Sequence, residues 1–126
     1  MKILIALILL GLTVSLSTSV LADEHSTLRV VVVETDDAAA YITQLNKGSM
    51  LIKAITPKMT IRAWQATFAG DATGAMIVGL EYPGTLADFA NAWGKVQADK
   101  SVAQWLTGLA GLRKIVSDSL YSEIVI

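Results

Sequence analysis

Residues 60–82, TIRAWQATFAGDATGAMIVGLEY, hold two apolar runs on either side of a glycine-bounded turn. Thr60 to Phe68 (TIRAWQATF) and Ala75 to Tyr82 (AMIVGLEY) are rich in β-branched and aromatic residues, which suit a pleated, half-buried surface. Gly70-Asp71-Ala72-Thr73-Gly74 between them carries turn chemistry, so the stretch predicts a β-hairpin. Side chains alternate along a strand. Arg62, Trp64, Ala66 and Phe68 therefore share one face, and Ile61, Ala63, Gln65 and Thr67 the other. Centring the turn on Asp71-Ala72 leaves two registers. One sets Arg62 opposite Glu81 and Trp64 opposite Gly79; the other sets Arg62 opposite Tyr82 and Trp64 opposite Leu80. The first is favoured, because it pairs opposite charges and covers a glycine with an indole.

Each side of the hairpin is flanked by a helix and then a strand. Upstream, Leu28 to Thr35 (LRVVVVET) reads as a buried strand, and Asp36-Asp37 opens a helix. Tyr41, Leu45, Gly48, Ile52 and Ile55 form one helical stripe, in which Gly48 is either a close-packing spot or a break. Pro57 biases Thr56 away from helical angles and ends the helix. Downstream, Pro83-Gly84 breaks the chain. Thr85 and Asp88 form a capping pair ahead of Leu86, Phe89, Ala90, Trp93 and Val96. A second capping pair, Ser101 with Gln104, starts a shorter helix bearing Val102, Trp105, Leu106 and Leu109, with Gly108 and Gly111 at its end. Lys114 to Ile126 supplies a last strand.

The order is β-α-β-β-α-β, an α+β ferredoxin-like arrangement whose antiparallel sheet carries helices on one face. Both parities of the strands are apolar: Val30 and Val32 as well as Val31 and Val33, and Ile77 as well as Met76, Val78 and Leu80. A solvated face would alternate apolar with polar. The pattern therefore predicts a homodimer joined sheet to sheet. The run Arg62–Gly70, the turn to Gly74, Glu81-Tyr82-Pro83 and the Leu86–Asp99 helix resemble the dimeric α/β-barrel superfamily, which includes antibiotic-biosynthesis-type monooxygenases, NIPSNAP-like proteins and dye-decolourising peroxidases. The likeness spans residues 28–126 and rests on element order and a few hairpin residues, none of them catalytic. It implies a ligand pocket on the open sheet face.

Residues 1–22 read as a cleavable secretory signal, which makes the protein periplasmic or secreted. Lys2 is the positive n-region, Ile3 to Leu12 the apolar core, and Val20-Leu21-Ala22 the cleavage boundary. Ile3 to Ala22 is also long enough to span a bilayer, but Thr13, Ser15, Ser17, Thr18 and Ser19 polarise its second half and no basic cluster follows. Residues 23–27 are then a short N-terminal segment before the domain at 28–126. Removing Lys2 with the signal leaves 9 basic and 11 acidic residues, which argues against nucleic acid and gives no reason to expect a membrane surface as partner. The chain has no cysteine, so a disulfide, a thiolate metal site and a lipid-modified cysteine are all excluded.

His25 is the sole histidine and precedes the first strand. A histidine-ligated haem, a His-Asp catalytic pair and a multi-histidine metal site are accordingly not expected, and no cofactor is assigned. Cleavage after Ala22 would place His25 third in Asp23-Glu24-His25, a square-planar nitrogen set suited to Cu(II) or Ni(II) that arises by accident in many exported chains. The candidate ligand-binding residues are Arg62, Trp64 and Glu81, which the favoured register gathers on the open face; a cross-strand ion pair and a packed indole at a dimer seam are the structural alternative. Phe89, Trp93 and Trp105 lie at helical spacing and read as core, and Asp118 has no evident partner. Two functional classes fit. The preferred one is an exported, non-catalytic domain that assembles or binds a small apolar or aromatic ligand. The other is a cofactor-independent monooxygenase-like enzyme, in which Trp64 and Arg62 orient a small aromatic substrate and stabilise an oxyanion.

Overall fold

The computed structural model describes residues 25–67 and 70–126, apart from the side chain of Ala72. The segment read as an export signal lies outside the described residues, as do Asp23 and Glu24. Four strands, β1 (Ser26–Glu34), β2 (Thr60–Gln65), β3 (Met76–Pro83) and β4 (Lys114–Ser122), form one sheet in the order β2-β3-β1-β4, every neighbouring pair antiparallel. Three helices, α1 (Ala38–Ile55), α2 (Leu86–Ala98) and α3 (Lys100–Ala110), pack on one face. No described helix is long and apolar enough to cross a membrane.

The core forms where one strand parity meets the helical stripes. Val31 and Val33 of β1 and Met76, Val78 and Leu80 of β3 face Tyr41, Leu45 and Ile52 of α1, all buried. The opposite parity, Leu28, Val30, Val32 and Ile77, is only partly buried. α1 begins as expected: the Asp37 carboxylate accepts from the Ala40 amide at 3.0 Å. It ends at Ile55, with Thr56 extended ahead of Pro57. Gly48 resolves as a close-packing site, because a side chain there would collide with the indole of Trp105. α2 carries the Thr85–Asp88 capping box, in which the Thr85 amide donates to Asp88 at 2.9 Å and the Asp88 amide donates to Thr85 at 3.2 Å. Its buried stripe is Phe89, Ala92 and Val96, so Ala92, not Ala90, faces the sheet.

Five sequence expectations need correction. α3 starts two residues earlier than a Ser101 cap implied, because the Asp99 carboxylate accepts the Val102 amide at 3.0 Å and serves as the cap. β1 begins at Ser26, two residues before Leu28; Thr27 is buried there, with its hydroxyl donating to the Gly84 carbonyl. β4 ends at Ser122 and does not continue to Ile126. β2 stops at Gln65, and the hairpin closes by paired hydrogen bonds between Ala66 and Ala75 and between Gly74 and Ala66. Gly70 (φ 56°) and Gly74 (φ 89°) adopt left-handed backbone, a conformation that favours glycine. The resulting register sets Arg62 opposite Gly79 and Trp64 opposite Ile77, matching neither sequence-based alternative. The loop is wider and sits further toward β2 than a turn centred on Asp71-Ala72. The shift from the favoured register is two residues. An even shift leaves every side chain on its expected face.

A cavity under the helices and an open sheet face

Arg62, Trp64 and Glu81 do come together on the open face, by diagonal contacts instead of direct pairing. Arg62 Nη2 donates to Glu81 Oε2 at 2.9 Å. The Trp64 ring lies over Gly79, where a Cβ would stand 2.9 Å from its Cζ3. The ion pair is largely solvated, with the two side chains 58% and 41% exposed, and such pairs stabilise by about 1 kcal/mol or less. Trp64 itself remains 50% exposed. Arg62, Trp64 and Glu81 do not line the cavity beneath the helices.

The other face holds an internal space. A cavity of about 160 Å³ lies between the sheet and the helices. Val31, Val78 and Leu80 line its floor, while Leu45, Trp105 and Leu109 descend from α1 and α3. Its polar lining comes from Arg29, Arg113 and Gln97. An outer groove between α2 and β4 shares Arg29, Trp93 and Gln97 with the cavity, which makes these three side chains the wall between interior and solvent.

Arg29 projects from β1 on the helix side and is fixed three ways. Its Nε and Nη2 donate to the two Asp118 oxygens at 3.0 and 2.6 Å, a bidentate pair. Its guanidinium carbon stands 5.0 Å from the centre of a Trp93 ring, within cation–π range. The hydrogen bond from Arg29 holds the Asp118 carboxyl below its ordinary range against the opposing cost of desolvation, with the Arg113 charge adding a smaller push in the same direction. The same hydrogen bond raises the Arg29 pKa, though burial opposes it. Asp118, left without a partner by the sequence reading, is thus the anchor of Arg29.

Arg113 is fixed less completely. Its Nη1 donates to the Tyr41 hydroxyl at 3.3 Å, a long contact. Its Nε is buried and has no hydrogen-bond partner among the described residues. An N–H in that state costs about 1–3 kcal/mol relative to a satisfied one.

Sequence reasoning did not single out Arg29, Arg113 or Gln97. One signal for Arg29 was present: it shares the parity of Thr27, Val31 and Val33, so an arginine stood among residues meant for the core. Arg113 and Gln97 carried no such signal, since each lies at the margin of an element where a charged or polar side chain is ordinary. Among the described residues no cluster of histidine, cysteine, aspartate and glutamate has the makings of a metal site.

No family model and no curated protein matches the chain. Solved structures do. A NIPSNAP family protein from Agrobacterium tumefaciens is 15% identical with a TM-score of 0.61, covering 82% of this chain and 88% of its own. SnoaB, a cofactor-independent oxygenase from Streptomyces nogalater, is 13% identical with a TM-score of 0.56, covering 80% and 95%. The chain has the fold of these proteins. A third structure, from Arabidopsis thaliana, is 13% identical with a TM-score of 0.53 over 79% of this chain and 95% of its own. The expected ferredoxin-like architecture and the likeness to NIPSNAP-like and monooxygenase-like domains are therefore observed at the level of fold.

Proposed function

We propose that this chain is an exported, non-catalytic domain that binds a small apolar ligand between its sheet and helices and acts as a homodimer. The cavity carries this reading. It is apolar on most sides, has a few convergent polar groups, and lies behind a wall of three side chains that border a solvent groove. Its volume is close to the roughly 150 Å³ that admits benzene in an engineered apolar cavity, so it suits a single ring and not a larger molecule. Catalysis is disfavoured by the lining itself: its polar side chains are two arginines and a glutamine, and an arginine stays protonated and so has no lone pair to act as a general base.

The open sheet face fits the assembly role. Leu28, Val30, Val32 and Ile77 are partly exposed there, beside Trp64 and Tyr121, the latter 55% exposed. In this reading Arg62, Trp64 and Glu81 lie at the seam between two copies, and the ligand sits on the far side of each sheet. Export rests on the signal-like residues 1–22.

A second reading, a cofactor-independent oxygenase, is favoured by the likeness in fold to SnoaB. In it the cavity's arginines would stabilise an oxyanion on a small aromatic substrate, and the substrate itself would have to lose its proton without a side-chain base. Native mass spectrometry of protein recovered from its own exported fraction tests these statements together. The expected species is a dimer of chains beginning at Asp23, each carrying a small organic ligand. A monomer beginning at Met1 would overturn export and assembly. Raised thermal stability under benzene vapour is the direct test of the cavity, and no shift would remove it as a binding site. Oxygen consumption with simple phenols would favour the oxygenase.

A further inference from the structure

The charges around the cavity do not balance, and the imbalance indicates what kind of ligand belongs there. Two guanidinium groups line it, and among the described residues the one carboxylate in an ion pair with them, Asp118, pairs with Arg29. That carboxylate is committed to Arg29 through both oxygens. Arg113 is in no ion pair among the described residues, and its Nε–H is buried without an acceptor. Glu34, Asp36 and Asp37 share an outer groove with Arg113 and Lys114, but none of them reaches it as an ion pair. These three acids are screened by solvent. The cavity is therefore bordered by one guanidinium that is in no ion pair among the described residues, next to apolar walls that include the indoles of Trp93 and Trp105.

We infer that the cavity takes a compact apolar anion, a single flat ring or its equivalent in size bearing one acidic oxygen, with that oxygen held by the guanidinium of Arg113 where it lines the cavity. The inference rests on the cavity being the binding site, as proposed above. The neutral part of the ligand occupies the space among Leu45, Val78, Trp105 and Leu109, where only dispersion and burial act. Arg113 supplies the discrimination, since a charge-assisted hydrogen bond in a poorly solvated site is stronger than one between neutral groups. Arg29 cannot take this part, because releasing it would leave Asp118 unpaired.

Three probes separate the pieces: benzoate, its neutral isostere benzamide, and benzene. Titrations of the purified protein at neutral pH, read by tryptophan fluorescence and calorimetry, should give benzoate at least about tenfold tighter binding than benzamide. Arg113→Met should abolish that preference. Arg113→Lys, which keeps the charge but moves the donor, should restore part of it. Benzoate binding no tighter than benzamide in the unmodified protein would overturn the inference without any variant, so a misfolded Arg113→Met would not rescue it. Benzene binding with no preference for the anion would leave the cavity standing as a site and remove only its anion specificity. Failure of all three probes would remove both.

Discussion

The indole N–H of Trp105 donates to the Gln44 carbonyl at 2.7 Å while the ring fills the space where a side chain at position 48 would be. α1 and α3 are locked face to face by this one residue. The lock also sets the roof of the cavity, because Trp105 lines it.

Gly48→Ala should therefore destabilise the protein even though alanine favours a helix by about 1 kcal/mol over glycine. Displacing a packed indole costs about 1–3 kcal/mol, so the net loss should be about 0–2 kcal/mol with reduced binding of any cavity ligand. Urea unfolding read by tryptophan fluorescence checks it. A variant more stable by the full helix-propensity gain would show that Trp105 yields freely.

The cap of α3 offers a two-variant comparison. Asp99→Ala should cost about 1 kcal/mol, since it removes the acceptor of the Val102 amide. Ser101→Ala should change stability by less than about 0.5 kcal/mol, as an exposed substitution that leaves the Asp99 cap intact. The reverse ranking would return the cap to Ser101.

Acid should weaken the fold through Asp118. Its folded-state pKa is depressed, chiefly by the Arg29 hydrogen bond, so the pair contributes stability that is present above the unfolded carboxylate value of about 3.9 and is lost as pH falls through the lower folded value. Asp88, depressed by the amide and hydroxyl of Thr85, acts in the same direction. Asp118→Asn should lower stability at pH 7 and flatten its fall between pH 5 and pH 2, measured by chemical unfolding across that range. An unchanged acid slope would mean that Asp118 does not contribute.

Trp64→Glu places a charge where the proposed seam buries an indole. Sedimentation should show the dimer shifted to monomer at micromolar concentration, with helical circular dichroism retained and benzene binding unaffected. Arg62→Gln, which breaks only a solvated ion pair, should cost about 1 kcal/mol or less in stability. A dimer undisturbed by Trp64→Glu would move the interface elsewhere, and loss of ligand binding in either variant would return the ligand to the open face.

Hydrophobic period and caps were enough to read the elements from the chain. The stripe Tyr41, Leu45, Gly48 and Ile52 is buried as its spacing requires, and Thr85 with Asp88 marks the start of α2. The hairpin parity was legible for the same local reason. Its register was not, because the width of the turn depends on Gly70 and Gly74 taking left-handed backbone and on which amides close the loop. Arg62, Trp64 and Glu81 could be grouped from the sequence because a shift of two residues keeps a face intact.

Sequence alone determined the order of elements, the side of the sheet each strand residue occupies and the apolar character of both faces, since these follow from local periodicity. Only the tertiary structure decided where the enclosed space lies and which charges border it. Arg29, Asp118 and Arg113 are brought together by the pairing of β1 with the distant β4, and Tyr41 reaches Arg113 from α1, 72 residues away. Such juxtapositions depend on strand order and helix packing, and local pattern does not encode them.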